Sequence, residues 1–524
     1  MSYQSLSFII YSAVVLLVYY TAGRRHQKAV LAVANLVFYG FAGIKYLPFI
    51  LITMVSTFAA GRKMGAIYDE ADEKLKTCRD AAEKKAVRAA AKADAKKSLQ
   101  FSMAVTILLL AVCKYTGFAI TNLNYIGKAL SAFEIPMFRM ILPLGISFYS
   151  FMALSYVLDI YWKRYKAEKD FITYAVYLSY FPHVVQGPID RFNEFAKQLE
   201  QPVAPDYDNL VRGAQLSLWG FFKKLVIADR LGLLVDPVVS AWGEYSGGML
   251  LFIMAVYSIQ IYTDFSGCID IVTGVSEMLG IKLRKNFNHP YFSKTMAEFW
   301  RRWHISLQEW FKDYVYYPVS ASAFMKKMKK GAKNRFGLRA SELVASCVPV
   351  FAVWCVTGIW HGAAWKFVLW GMFHAALLIG SQIFEPAFRK DTELLKIRTE
   401  SPLWQAVQMC RTFFLCCIGR IFFRSPGVSA SIGILVRIFT NPSLPSLSKT
   451  AGIIGTADFT VAIIASLVLL IVDIAGEKTD VRDLLAKQNI LLRWTVIFAV
   501  LFAVIFMGIY GPGYSASSFI YEQF

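Results

Sequence analysis

Long apolar runs recur along the whole chain and alternate with short polar or charged segments. Each run approaches the ~20 residues that an α-helix needs to cross the hydrocarbon core of a bilayer. This pattern predicts an all-α polytopic membrane protein with about 11 to 13 membrane-embedded helices. The runs are 6–23, 29–43, 46–61, 101–118, 140–161, 171–186, 209–231, 247–280, 343–360, 362–384, 404–423, 454–474 and 490–510.

The composition agrees with this prediction. Of the 524 residues, 56% are hydrophobic, 15% are aromatic and only 18% are charged, which argues against a soluble domain with polar loops. The first run, 6–23, has no basic segment before it and no small-residue cleavage site after it. We therefore interpret it as a retained first span and not as a secretory signal.

Basic residues are concentrated in loops on alternate turns of the chain. The formal net charge is +20, and much of the Lys and Arg excess lies in 24–28, 62–98, 162–170 and 326–339. Cytoplasmic loops carry such an excess, so these loops are predicted to be cytoplasmic and the N-terminus extracytoplasmic. This placement favours contact of 326–339 with anionic lipid and argues against nucleic acid as a partner. A docking site on 326–339 for a phosphate-rich donor or a partner is the alternative.

The eight cysteines form neither a disulfide framework nor a set with metal-ligand spacing. Only Cys78 lies in a charged loop, and the others lie within or beside apolar runs. The sequence therefore predicts no bound metal.

The charged insert 62–98 is rich in Ala, Lys and Glu and predicts a cytoplasmic helix or helical pair. Neither solenoid repeats nor inverted halves are recognisable. We therefore predict one membrane-embedded domain, 1–524. Ionisable residues occur inside apolar sequence mainly between 140 and 375. Because charges at membrane depth are costly unless they face a cavity or a partner, 140–375 is the predicted catalytic core.

The segment GIWHGAAW, 358–365, places a histidine among tryptophans and glycines. Gly358 and Gly362 form a G-x-x-x-G pattern that lets another helix approach closely. Trp360 flanks His361, and Trp365 would stand one helical turn further along the same face. Desolvation there favours the neutral imidazole, which can accept a proton. His361 is thus a candidate general base. A structural histidine bonded to another helix is the alternative.

The segment FWRRWHISLQEWF, 299–311, is both aromatic and charged. We expect it to lie at the membrane interface and to line an aqueous funnel, where a protonated or hydrogen-bond-donating state of His304 is easier than in a dry pocket. A tryptophan-anchored interfacial helix without chemistry is the alternative. One helical stripe carries Trp300, His304, Leu307 and Phe311. The charged residues that can pair among themselves are Glu298, Arg301 and Arg302.

Asp264 and Asp270 lie inside an apolar run, at a spacing that puts them on different helical faces. This argues against a glycosidase-like carboxylate pair, and we expect hydrogen bonds to glycine-loosened backbone or orientation of a histidine. The remaining histidines have weaker cases. His374 would lie about 20 Å from His361 if their helix were unbroken.

Seven segments stand out in order along the chain. They are ILPLGISFYSFMALSYVLDIY (141–161), FPHVVQGPIDRF (181–192), YTDFSGCIDI (262–271), NFNHPYF (286–292), FWRRWHISLQEWFKDYVYYP (299–318), GIWHGAAWKFVLWGMFH (358–374) and FIYEQF (519–524). As a set they resemble the membrane-bound O-acyltransferase (MBOAT) family, in its bacterial alginate O-acetyltransferase branch. The chain departs from the usual pattern at His183, where Gln is usual, at Glu522, where an aromatic residue is common, and in the extended insert 62–98.

The resemblance implies a ring of membrane helices around a central funnel or tunnel in the bacterial plasma membrane. It implies that His361 in the W-H-G motif is catalytic and that His304 in the R-W-H motif is a second functional histidine. Around these two we predict substrate contacts from Trp300, Arg301, Arg302, Trp303, Trp360, Trp365 and Asp264.

The implied reaction moves an acyl group, expected to be acetyl, from a cytoplasmic thioester to a hydroxyl outside the cell. A thioester is already activated, so the site needs a base, oxyanion donors and a dry path, and no permanently bound cofactor. The expected donor substrate is acyl-CoA, in the first instance acetyl-CoA. The expected partners are membrane lipid, an extracytoplasmic relay or transferase protein of the SGNH/GDSL type, and a polysaccharide or wall-polymer acceptor.

Two alternatives stay open. A D-alanyl transfer protein of the teichoic-acid type shares these motifs, is usually shorter and takes its acyl group from a carrier protein. A transporter or flippase would use a polar cavity without acyl chemistry, although the lack of inverted repeats counts against it.

Overall fold

The computed structural model describes residues 1–131, 133–138 and 142–510. Within these ranges the chain folds into helices and forms no β-strand, only one isolated bridge. Eight helices are long and apolar enough to cross a membrane, and three shorter apolar helices accompany them. The all-α, multi-pass prediction is confirmed. The segment 519–524, with Glu522, lies outside the described residues.

The chain divides into two compact units, one comprising 1–214 and 272–284 and the other 215–271 and 285–524. The first ten helices are α1 Leu6–Thr21, α2 Gln27–Ala42, α3 Leu47–Thr77, α4 Ala81–Ala129, α5 Ile146–Tyr161, α6 Phe171–Ser179, α7 Phe192–Leu199, α8 Tyr207–Phe221, α9 Asp229–Ser240 and α10 Gly247–Met278. The remaining helices are α11 Met296–Arg302, α12 Ile305–Phe311, α13 Tyr317–Ala321, α14 Ala323–Phe336, α15 Leu338–His361, α16 Trp365–Ile383, α17 Glu385–Leu394, α18 Pro402–Arg424, α19 Val428–Thr440, α20 Leu447–Ile454, α21 Thr456–Gly476, α22 Val481–Ala486 and α23 Ile490–Met507.

In the first unit, the charged insert forms the ends of two long helices. α3 ends at Thr77 and α4 begins at Ala81, so the predicted helical pair is observed. The Asp80 side chain accepts a hydrogen bond from the Glu83 N–H at 2.6 Å, and Glu83 in turn accepts one from the Arg79 N–H at 2.9 Å. These bonds form a variant of the capping box, in which Glu83 reaches the N–H one residue before the N-cap, and they fix the start of the second helix.

In the second unit, helices are interrupted where polar residues enter the apolar interior. A π-helical segment, Phe222–Ala228, joins α8 to α9, and another, Lys312–Tyr316, joins α12 to α13. π-Helical turns widen a helix locally and often occur at functional sites. The core of this unit is rich in aromatic side chains and includes the buried indoles of Trp303, Trp354 and Trp370.

Helices α15 and α16 approach each other closely at two glycines. A Cβ on Gly358 would lie 2.7 Å from the Phe367 carbonyl oxygen and 3.4 Å from the Gly371 Cα. The prediction that Gly358 permits close helix approach is confirmed. The prediction for Gly362 is wrong, because α15 ends at His361 and Gly362 is extended, with φ 179°. The glycine that Gly358 meets in this helix contact is therefore Gly371 on α16.

Candidate active site

His361 is the last residue of α15 and is buried, with 4% of its surface exposed. Three aromatic rings surround its imidazole. The ring centroids lie 4.8 Å from Trp360, 4.7 Å from Trp370 and 5.4 Å from Phe423. The aromatic wall expected from the sequence is therefore present, although two of these three rings come from α16 and α18.

The predicted position of Trp365 is wrong. The expectation assumed one continuous helix, in which Trp365 would stand a turn beyond His361. Because the backbone is extended at Gly362, Trp365 begins α16 instead and is 56% exposed. Trp370, one turn further into α16, occupies the place beside the imidazole.

His304 lies between α11 and α12 in a left-handed backbone conformation, with φ 48° and ψ 52°. The predicted continuous stripe from Trp300 to Phe311 is therefore broken at His304. A non-glycine residue in this conformation costs free energy and persists only where its surroundings enforce it. Such positions are concentrated at functional sites, which draws attention to this residue independently of its side chain.

The segment around Asn286 enforces this conformation. The backbone carbonyl oxygen of Asn286 accepts a hydrogen bond from the Ile305 N–H at 2.9 Å. The side-chain Oδ1 of Asn286 accepts from the Ser306 N–H at 3.1 Å and from the Ser306 hydroxyl at 2.8 Å, and it lies 3.3 Å from His304 Nδ1. Because Oδ1 is an acceptor, His304 donates from Nδ1, and Nε2 of the neutral ring then carries the lone pair.

The wet interfacial setting expected for His304 is wrong, and so is the protonated state, whereas the alternative of a hydrogen-bond-donating ring agrees with the Nδ1 contact to Asn286. The residue is 1% exposed and lies outside the eight candidate spans, in contact with the Phe265 ring at 4.8 Å between centroids. Burial lowers its pKa to about 3, because the charged imidazolium loses its hydration. His304 is therefore neutral near pH 7 and is not in an aqueous interface.

Trp360 brings the two histidines into one cluster. Its ring centroid lies 6.4 Å from His304 and 4.8 Å from His361. The indole is itself buried, with 5% exposed. The two histidines selected from separate motifs, 57 positions apart in the sequence, thus meet around one side chain.

His374 is much closer to His361 than an unbroken helix would allow. The Trp370 ring contacts both residues, with its centroid 4.7 Å from His361 and 4.9 Å from His374. The Trp300 ring also packs on His374, at 4.8 Å. The expected separation of about 20 Å between His361 and His374 assumed an unbroken helix. It is wrong because the chain reverses between α15 and α16.

The other predicted substrate contacts lie in different surroundings. Trp303 is buried and packs against the Arg420 guanidinium, 4.5 Å from its ring centroid. Arg302 pairs with Glu298 at 3.0 Å and with Glu477 at 2.5 Å, so the pairing predicted with Glu298 is confirmed. Arg301 is exposed.

Two adjacent lysines pair with the carboxylates of α10. Lys224 Nζ lies 2.7 Å from Asp264 and 2.8 Å from Asp229, and Lys223 Nζ lies 2.6 Å from Asp270. The two aspartates pair with different lysines, which agrees with their predicted placement on different helical faces, but lysine was not among the partners expected for them. Asp264 is 1% exposed and bound to a lysine, so it lies in an ion-paired network.

Sequence reasoning missed Asn286 and the two lysines. Asn286 belongs to the quoted segment NFNHPYF, but nothing in the sequence indicates that it folds back onto His304. Lys223 and Lys224 carried a usable signal, since two adjacent charges inside the apolar run 209–231 require partners.

One buried histidine, His183, lies in the first unit. His183 is fully buried, and its ring nitrogens lie 3.1 Å from Asp190 Oδ2 and 2.9 Å from the Tyr177 carbonyl oxygen. Both nitrogens are engaged, so the departure at this position adds a local polar network. Among the described residues, no group of three or more His, Cys, Asp or Glu is placed to hold a metal ion.

Residues 168–423, which contain both His304 and His361, match the sequence model of the membrane-bound O-acyltransferase family, MBOAT. Residues 168–423 therefore form an MBOAT domain. The matched range also includes the lysine pair, Asn286 and the broken helix at His304. The match to a family of acyltransferases favours acyl transfer over the transporter alternative.

Curated relatives extend the match towards the N-terminus. A protein of Pseudomonas syringae pv. tomato described as a probable alginate O-acetylase is 29% identical over 407 residues, which cover 78% of this chain and 69% of that protein. A peptidoglycan O-acetyltransferase of Helicobacter pylori is 28% identical, over 81% of this chain and 76% of its own length. A teichoic acid D-alanyltransferase of Bacillus subtilis is 29% identical, over 55% and 70%. The protein that carries this MBOAT domain is an O-acyltransferase.

Proposed function

We propose that the protein moves an acetyl group from a cytoplasmic thioester, in the first instance acetyl-CoA, to a hydroxyl of an extracytoplasmic polysaccharide or wall polymer. The transfer is either direct or through a relay protein of the SGNH/GDSL type. The observation that carries this proposal is the cluster of two buried histidines around Trp360. The names of the relatives support acetyl as the group and a surface polymer as the acceptor.

His361 is the proposed general base. The acceptor oxygen attacks the thioester carbonyl carbon while His361 takes the hydroxyl proton. The C–S bond then breaks, and the departing thiolate receives that proton from the imidazolium. The aromatic wall of Trp360, Trp370 and Phe423 excludes water from the imidazole, which gives the base a dry path to the acceptor proton.

His304 has a different proposed role from the one expected from sequence. Since Nδ1–H is directed at Asn286, Nε2 can only accept a hydrogen bond or a proton. It therefore suits accepting a hydrogen bond from a second hydroxyl of the polymer acceptor, because the attacking hydroxyl gives its only proton to His361, whereas binding a thioester carbonyl or a phosphate would need a donor. The strained backbone and the Asn286 contacts fix the imidazole for this purpose.

The orientation follows from the basic loops. With 24–28, 62–98, 162–170 and 326–339 on the cytoplasmic side, the N-terminus is extracytoplasmic and the thioester arrives from within. Transfer from inside to outside through one site explains why the histidines are buried in a membrane protein.

The experiment that tests the donor uses purified protein in proteoliposomes. One arm receives labelled acetyl-CoA and the other a D-alanyl carrier protein, each with a soluble hydroxyl acceptor. Transfer from acetyl-CoA supports the proposal. Transfer from the carrier protein alone would assign the protein to the D-alanyl type, which the B. subtilis relative represents.

A further inference from the structure

A cavity of about 460 Å³ in the second unit carries charged groups of both signs, none of which takes part in the proposed transfer. Its lining comes from α8, the π-helical segment that joins α8 to α9, α10, α21, α22 and α23. The charged lining residues are Lys223, Asp270, Lys285, Asp473, Asp480 and Arg482.

The charges in this cavity are arranged in close pairs. Lys223 Nζ lies 2.6 Å from Asp270, and Arg482 lies 3.1 Å from Asp480. Asp473 lies 3.2 Å from the Nδ1 atom of His289, a further lining residue. The cavity thus offers anionic and cationic partners side by side, which suits a zwitterion better than a ligand of one sign.

Besides charged and uncharged polar side chains, the cavity has an apolar part in its lining. The apolar part of the lining includes Val472 on α21 and both Val496 and Val500 on α23. No residue of α23 is buried, although the helix is long and apolar enough to span the membrane. A ligand in this cavity can therefore extend an apolar part into the bilayer.

A second cavity of about 470 Å³ shares Tyr262 and Asp473 with the first. Apart from this shared edge its lining is almost wholly apolar, with Phe252, Phe413 and Phe459 among the contributors. The apolar second cavity therefore meets the mixed first cavity at Tyr262 and Asp473. A lipid with two acyl chains and one head group has the same arrangement.

We propose that these two cavities form a binding site for a diacyl phospholipid whose head group carries both a phosphate and a primary ammonium, as in phosphatidylethanolamine. The phosphate faces Arg482 and Lys285, and the ammonium faces Asp473 and Asp480. One acyl chain occupies each cavity. The carboxylates of Asp270, Asp473 and Asp480 disfavour polyanions such as acyl-CoA and head groups that carry only negative charge.

The test measures lipid retention and does not depend on acyl transfer, so its failure is distinguishable from failure of the proposed function. Purified full-length protein is equilibrated with an equal mixture of phosphatidylethanolamine, phosphatidylcholine and phosphatidylglycerol. Bound lipid is then identified by native mass spectrometry. We expect phosphatidylethanolamine to be enriched in the wild type.

Two variants and one control locate the site. Arg482→Gln should lower the enrichment about tenfold, because a charge-assisted hydrogen bond to the phosphate is lost. Asp473→Asn should abolish the preference for ammonium over choline. Lys487→Gln, an exposed cation just after the same short helix that does not line either cavity, should leave retention unchanged.

Three outcomes would overturn the proposal. The first is equal retention of the three lipids by the wild type, and the second is enrichment of phosphatidylglycerol alone. The third is displacement of the bound lipid by added acetyl-CoA, which would make the cavity part of a donor site.

Discussion

The Oδ1 atom of Asn286 lies 3.3 Å from the Nδ1 atom of His304. This contact, together with burial, sets the chemistry of the second histidine. The neutral ring donates from Nδ1 to Asn286, and the proposed role of His304 uses the lone pair on Nε2. The sequence suggested a donor at a wet interface, whereas the structure places this donor in the protein interior.

Asn286→Asp should make protonation of His304 contribute to the pH dependence of transfer, a contribution that the wild type lacks between pH 8 and 5. The pKa of His304 is about 3 in the wild type, so the neutral imidazole persists as the pH falls from 8 to 5. A carboxylate at position 286 raises this pKa, and the neutral form is then lost as the pH falls through the raised value. The profile of kcat/KM against pH should acquire an acidic limb. The matched control is Asn288→Asp on the same segment, and an unchanged profile in both variants would contradict the assigned contact.

His304→Asn should lower kcat while leaving the KM for the thioester donor near its wild-type value. Asparagine tolerates the left-handed backbone better than most residues, so this variant separates loss of the imidazole from backbone strain. The expected loss of kcat is about tenfold or more, since one orienting hydrogen bond is removed. Steady-state kinetics over a donor series provide the measurement. A raised donor KM at unchanged kcat would return His304 to donor binding.

Lys224→Met should destabilise the protein by about 3–5 kcal/mol, because it leaves the buried carboxylates of Asp264 and Asp229 without their lysine. Denaturant unfolding in detergent micelles measures the change in the free energy of unfolding. Lys330→Met, an exposed cation of α14, serves as the control and should change little. Equal stability of the two variants would show that the ion-paired network contributes nothing.

Cysteine labelling tests the orientation. We expect an impermeant thiol reagent added to intact cells to leave Lys330→Cys and Lys166→Cys unmodified, and to modify both after the membrane is opened. Cys78, half-buried at the end of α3, should behave in the same way. Labelling of any of these sites in intact cells would reverse the donor side.

The helical membrane architecture and the two principal histidines could be predicted from the sequence because their signals are local. Apolar runs near the length of a span indicate helices, and the motifs around His304 and His361 are contiguous. The capping box at Asp80 and Glu83 is local for the same reason.

The errors share one physical cause, which is the assumption that helices continue through the motifs. The breaks at His304 and Gly362 displaced Trp365 and brought Trp370 to the imidazole. The break at His304 is enforced by Asn286, which lies outside the helix that it interrupts. Helical spacing has no access to such a tertiary hydrogen bond, and it likewise gave no indication that Trp370 contacts both His361 and His374.

The central claim is that acyl transfer depends on His361 as a base. Purified His361→Ala, compared with wild type in the same proteoliposomes with labelled acetyl-CoA and a soluble acceptor, tests it most directly. Folding is checked by thermal unfolding of the two proteins. We predict a normal unfolding temperature and a turnover at least about 10²-fold lower, the usual loss on removing a general base. Transfer at the wild-type rate by a normally folded His361→Ala protein would contradict the account.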